Sequence, residues 1–255
     1  MFNPVDNPFL VFVISLALFW LSACLGSWLS KSKWKLQENT RADFKFVLGG
    51  ALTLLGLIVG FTFSMAVGRY EQRKHYEEGE ANAIETEYLR ADLLAAPEAA
   101  MLRDLLSNYL GQRINEFKSP ERERDSHNAE RVRLQKRIWA AASAPAIAQP
   151  TPVTALVAAG MNDVLNSQGY SQAALRNRVP LEAWALLVII SIFCNLMIGY
   201  GAEGKAAFVL FILPVVLSIS LFLIAEIDSP HGGVIHIRPH NLESLAESLH
   251  QAAKQ

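Results

Sequence analysis

Three groups of ionisable residues in this 255-residue chain have types and spacings that could do chemistry. His231, His236 and His240 are near one another and imidazoles bind metals, but their spacing fits no standard ligand pattern. Exposed tail histidines without a metal are the simpler expectation. Glu77, Glu78, Glu80, Glu85 and Glu87 crowd one short stretch. Several copies of it around an axis would make a cation-collecting ring, whereas one copy reads as a solvated helix face, which is the expectation here. Glu226 and Asp228 could hold a divalent cation or mark the point where the chain leaves a membrane, and the second is expected. No G-x-S-x-G, H-E-x-x-H or P-loop occurs. The residues for nucleophilic, zinc-hydrolytic or nucleotide chemistry are missing, so we expect neither an enzyme nor a cofactor.

The elements that must position these residues begin with apolar runs. The composition is 51% hydrophobic and only 18% charged, short of the roughly one quarter charged in a soluble domain. Four runs, at about 8–29, 46–68, 181–200 and 206–225, are each long enough to cross a hydrocarbon core of roughly 30 Å as a helix. The fold class expected is therefore all-α, an integral membrane protein with four transmembrane helices. Residues 1–68 hold the first two, 181–227 the last two, and 228–255 a soluble tail. Between them lies a soluble helical insert, 69–180. The spans carry no ionisable residue at mid-depth, which leaves a carboxylate proton relay nothing to run on. A net charge of −1 gives no basic excess for nucleic acid. Cys24 and Cys194 both fall within spans and read as small buried hydrophobes.

The run Leu21–Cys24 looks like a lipoprotein cleavage box, but the first eight residues hold no Lys or Arg. The first span is expected to stay in the membrane. Orientation is divided. Lys31, Lys33, Lys35, Arg41 and Lys45 put the short loop between the first two spans inside, while Arg69, Arg73, Lys74, Arg176 and Arg178 make the flanks of the insert basic too.

The second span, FVLGGALTLLGLIVGFTFSMAVG, passes without a break into RYEQRKHYEEGEANAIETEYLRADLL, so one helix is expected to continue well past the bilayer. At about 100° per residue, Gly49, Thr53, Gly56, Gly60 and Ser64 share a narrow stripe. Leu54, Ile58, Phe61 and Met65 share a nearly opposite one. Small residues at this spacing let helices approach closely. They could simply pack a four-helix unit, or they could face a neighbour while the bulky stripe rings a central axis as a hydrophobic neck.

In the insert, Pro97 suits a first helical turn, and Met101, Leu102, Leu105, Leu106, Leu110, Ile114 and Phe117 recur at helical spacing up to Lys118. A charge-dense helix follows, then an Ala/Pro-rich linker at 142–152. Thr151 and Pro152 offer an N-cap and first turn for the next helix, and SQAALRNR reads as a last short one. In the tail, Asn241 is placed to cap a terminal helix, with Glu243 in its first turn.

Several stretches resemble a family of bacterial and plant membrane proteins called bestrophin-like. They are GLIVGFTFSMAVGRYEQRKHYEEGEANAIETEYLRADLL, MNDVLNSQGYSQAALRNRVPLEAWALLVI, IGYGAEG and the tail IDSPHGGVIHI. The match runs from Gly49 to about Gly204. A more distant similarity to true bestrophins rests on four spans with a helical insert after the second. It rests also on Gly60-Phe61 followed, after seven intervening residues, by Arg69-Tyr70, a pattern similar to the pore-helix exit of bacterial bestrophins. The resemblance implies a passive ion channel, a homopentamer with the second span of each chain around one axis, carrying inorganic ions. Its partners would then be the lipid bilayer, other copies of itself and those ions. It puts Phe61 in the pore neck; Leu54, Ile58 and Met65 join it only by helical projection. It also implies a bacterial inner membrane and a cytoplasmic insert, toward which the divided charge count is resolved. The acidic calcium clasp of animal bestrophins has no counterpart after the fourth span, so calcium gating is not expected. A rival expectation is a non-conducting membrane scaffold or stress sensor whose helical insert binds a partner.

Overall fold

A computed structural model describes residues 7–31, 40–119, 128–202, 207–230, 234 and 238–252. Of these, 92% are helical and none lies in a strand. The helices are α1 (Pro8–Lys31), α2 (Arg41–Arg90), α3 (Ala96–Lys118), α4 (Asn128–Ala148), α5 (Pro152–Arg176), α6 (Leu181–Gly201), α7 (Ala207–Asp228) and α8 (His240–Ala252). A 3-10 turn, Ala91–Leu93, ends α2. Four of these helical stretches are long and apolar enough to cross a membrane.

The second span and its continuation are one helix of 50 residues, about 75 Å at 1.5 Å per residue. No proline interrupts it, and its end coincides with the extended backbone of Leu94 and Ala95. Pro97 then starts α3, where its missing N–H costs no hydrogen bond. The chain divides into two compact units: residues 1–70 with 178–236, and residues 71–177 with 237–255.

In the first unit α1 packs on α6 and α7, and α6 on α7. Phe19, Leu187, Leu221 and Ile224 form its core, which Leu55 and Ala66 of α2 join. The tightest approach is between α1 and α6. A methyl at Gly26 would overlap the Leu196 carbonyl, and one at Gly199 would overlap that of Ala23. Backbones that close are how membrane helices gain packing energy when burial from water no longer drives association. Cys194 is buried, whereas Cys24 is exposed on α1 rather than part of a core.

The second unit packs α3 against α4 and α8, and α4 against α5. Leu102, Leu105, Leu106, Leu110 and Phe117 form its core, as their spacing predicts, while Met101 stays outside. Two boundaries differ from the sequence expectations. The Ala/Pro stretch 142–152 is helical as far as Ala148 with Pro145 inside α4, because alanine's helix propensity outweighs one lost backbone bond. SQAALRNR belongs to α5 as far as Arg176 and is not a separate helix. Thr151 does cap α5, accepting from Thr154 N at 3.2 Å, and Thr154 Oγ1 accepts in return from Thr151 N.

Candidate functional site

The membrane part of α2 touches its own unit along one strip. Leu55, Thr62 and Ala66 are buried, at helical spacing, and Thr62 returns its hydroxyl proton to the Ile58 carbonyl at 2.9 Å. The bulky stripe lies about a quarter turn to one side of that strip. Leu54 is 50% exposed, Phe61 65% and Met65 40%, and only Ile58 packs partly on the core. At the stripe's end Arg69 reaches the Met65 sulfur, 3.8 Å away. The small stripe lies well over a third of a turn to the other side. Thr53 and Ser64 are exposed there, and a methyl at Gly49, Gly56 or Gly60 would meet no atom within 4 Å. Both sequence-predicted stripes are thus left open by the chain's own packing. Only 11% of this apolar stretch is buried, against 28% for α1 and 39% for α7.

Beyond the membrane part, α2 buries a face of quite different chemistry. Arg73, Glu77, Glu80, Ile84, Glu87 and Ala91 alternate at steps of four and three and are all buried. The expectation of a solvated acidic face is therefore corrected for Glu77, Glu80 and Glu87, while Glu78 and Glu85 are exposed as expected. Buried charges must find partners, and three of the four are held by hydrogen bonds. Arg73 donates to the carbonyls of Ala174 (3.3 Å) and Asn177 (3.1 Å), holding the end of α5. Glu77 accepts from Leu242 N at 3.0 Å and Asn241 Nδ2 at 2.6 Å. The first turn of α8 is thus capped by a residue of α2, and not by Asn241 as its position suggested. Glu80 takes two bonds from Arg113 of α3, at 2.5 and 3.1 Å.

Arg113 also pairs with Glu116. Burial disfavours its charge, but Glu80 more than offsets this and its pKa lies above the usual range. Burial and then the Glu80 charge push the neighbouring Tyr109 phenol up as well. Glu87 stands apart. Its two oxygens have no hydrogen-bond partner, and Arg90 is 3.8 Å away. Burial, only partly offset by Arg90 and reinforced by Asp163, pushes its carboxyl up to about 8.

The remaining sequence candidates have plain roles or lie outside the described residues. Asp228 accepts from Val179 N at 2.9 Å and Glu226 from Val234 N. Both are buried and tie backbone where the fourth span ends, as residues at a membrane exit can. His231 and His236 lie outside the described residues, and His240 is exposed at the start of α8. Among the described residues no group of three or more potential ligands could hold a metal. Sequence reasoning missed Gly26, Gly199, Arg73 and Arg113. Ser22, Gly26 and Ser30 on α1, and Ser191, Asn195 and Gly199 on α6, carried a usable signal, since each set repeats every four residues.

An all-helical, four-span integral membrane protein is the class these elements define. The Bestrophin-like domain matches residues 13–242, and the chain belongs to the bestrophin-like family. Crystal structures of a bacterial bestrophin homologue from Klebsiella pneumoniae share the fold. One, a single-substitution variant, aligns with a TM-score of 0.70 at 14% identity, covering 96% of this chain and 99% of the homologue. Another, phased on zinc, gives 0.68 at 15% identity, covering 95% and 98%. No curated protein matches the chain in sequence.

Proposed function

We propose that the chain is a passive ion channel, not an enzyme, assembled as a homopentamer with the membrane part of α2 around the pore. The observation that carries this reading is the openness of α2. A span packed for its own sake in a four-helix unit would spend its glycine stripe on a neighbour in the chain. Here Gly49, Gly56 and Gly60 face nothing, which suits contact with another copy. Leu54, Ile58, Phe61 and Met65 would then ring the axis as a hydrophobic neck that gates by dewetting, with inorganic ions as cargo. The insert would lie in the cytoplasm of a bacterium's inner membrane. Fold likeness to the Klebsiella pneumoniae homologue supports the arrangement.

Ion flux into liposomes tests the reading, with chloride compared against sodium or potassium and wild type against Phe61→Ala. Selective flux that rises in the variant supports it. No flux from folded, oligomeric protein would sink it.

A second reading, a non-conducting scaffold whose insert binds a partner, is favoured by one feature. A groove of ≈ 990 Å³ between α3 and α4 is lined by Asn108, Gln112, Asn115, Arg133 and Arg137, a hydrogen-bonding surface no pore requires.

A further inference from the structure

The polar face of α2 satisfies three of its buried charges and leaves one exception. Glu87 is fully buried, with neither oxygen hydrogen-bonded. Its carboxyl lies against α5. Opposite it stands Gly160, where a methyl would overlap Glu87 Oε2 and Arg90 Nη1. The absence of a side chain at Gly160 thus leaves the space that the Glu87 carboxyl and the Arg90 guanidinium occupy. The charged groups that face it are Arg90, 3.8 Å away on its own helix and partly exposed, and Asp163 on α5. The 3-10 turn that also packs on α5 carries Asp92, which is paired with Arg103 of α3.

We propose that Glu87 is a proton-operated latch, seating α5 against α2 while neutral and loosening that seat when it ionises. A neutral carboxyl tolerates a buried seat; a carboxylate there, with only the longer 3.8 Å ion pair to Arg90 in place of hydrogen bonds, is poorly compensated. Burial, reinforced by Asp163 against the pull of Arg90, holds the seated carboxyl at about 8, the pH by which the loosening is complete. The latch sits in the insert, so it stands whether or not the chain conducts. Glu77 and Glu80 differ in that their oxygens accept from Leu242 N, Asn241 and Arg113.

Amide hydrogen exchange of α5 around Gly160 tests the latch on the full-length protein in detergent, from pH 6 to 10, after correction for intrinsic exchange. Protection is expected to fall at least tenfold between pH 6 and about 8 in wild type, to level off above that, and to stay flat in Glu87→Gln. A flat wild-type profile, or the same fall in Glu87→Gln, would overturn the proposal. Should Glu87→Gln fail to fold, Asp163→Asn decides. Removing that negative charge lowers the pH at which the fall levels off if Glu87 is the titrating group, and an unchanged levelling-off overturns the latch.

Discussion

Arg113 shows what a buried charge does in this molecule. It is 3% exposed and holds Glu80 through two bonds and Glu116 through a third. Replacing both ends of such a cluster by apolar groups can be neutral, but removing one end strands the other. Arg113→Met should therefore cost about 3–5 kcal/mol, and urea unfolding followed by helix signal would measure it; a loss under about 1 kcal/mol would refute the pairing as a stabilising element. Glu87 predicts the opposite behaviour. Its folded carboxyl titrates at about 8 against an ordinary 4.5, so between those values the folded state binds more protons than the unfolded. Stability is fully present below about pH 4.5 and is lost as pH rises to about 8, at up to about 1.4 kcal/mol per pH unit. Glu87→Gln lacks that slope. Melting temperatures at pH 5, 7 and 9 should show the variant gaining on wild type, and parallel profiles would contradict the shift.

Among the elements, α8 depends on α2 for its cap. The Leu242 N–H would be one of the orphan donors of a helix start, and Glu77 supplies both an acceptor and a charge suited to the positive end of the dipole. Leu242 and Leu245 then reach the core, and Lys118 pairs with Glu243 at 2.7 Å. Glu77→Ala should cost about 1–2 kcal/mol and raise hydrogen exchange in residues 240–252 ahead of the rest of the insert. Uniform exchange would mean that the apolar contacts hold α8 alone. This cap also marks where sequence reading stops. The spans were legible because some twenty apolar residues admit few other structures, and α3 because its leucines keep one period. The partners of the acidic run lie 33 residues away at Arg113 and 164 away at Asn241, and no local pattern names them. What the sequence did hold was the four-and-three spacing of Arg73, Glu77, Glu80, Ile84, Glu87 and Ala91. That seam marks a buried face whatever its polarity, and its charges hid it. The two stripes of the membrane part were legible as stripes, and the chain's own packing leaves most of both exposed.

At the scale of the whole molecule, the pentamer reading makes the two stripes of α2 separable. The small stripe would face a neighbouring copy and the bulky stripe the axis, so lesions on each should fail differently. Enlarging Gly56 and Gly60 together to leucine adds bulk where the chain itself has no atom within 4 Å. The single chain should therefore fold with its α1–α6 crossing intact, while close approach between copies is blocked. Native mass spectrometry from detergent should find monomers or lower oligomers in place of pentamers, with thermal stability of the helical insert within about 1 kcal/mol of wild type. Phe61→Ala removes bulk from a side chain that is 65% exposed in the single chain. It should leave the pentamer assembled and raise its ion flux. If the glycine variant still forms pentamers, the small stripe is not the seam between copies. If Phe61→Ala dissociates the assembly instead of widening it, the assignment of the two faces must be exchanged, with the bulky stripe at the contact and the glycines toward the axis.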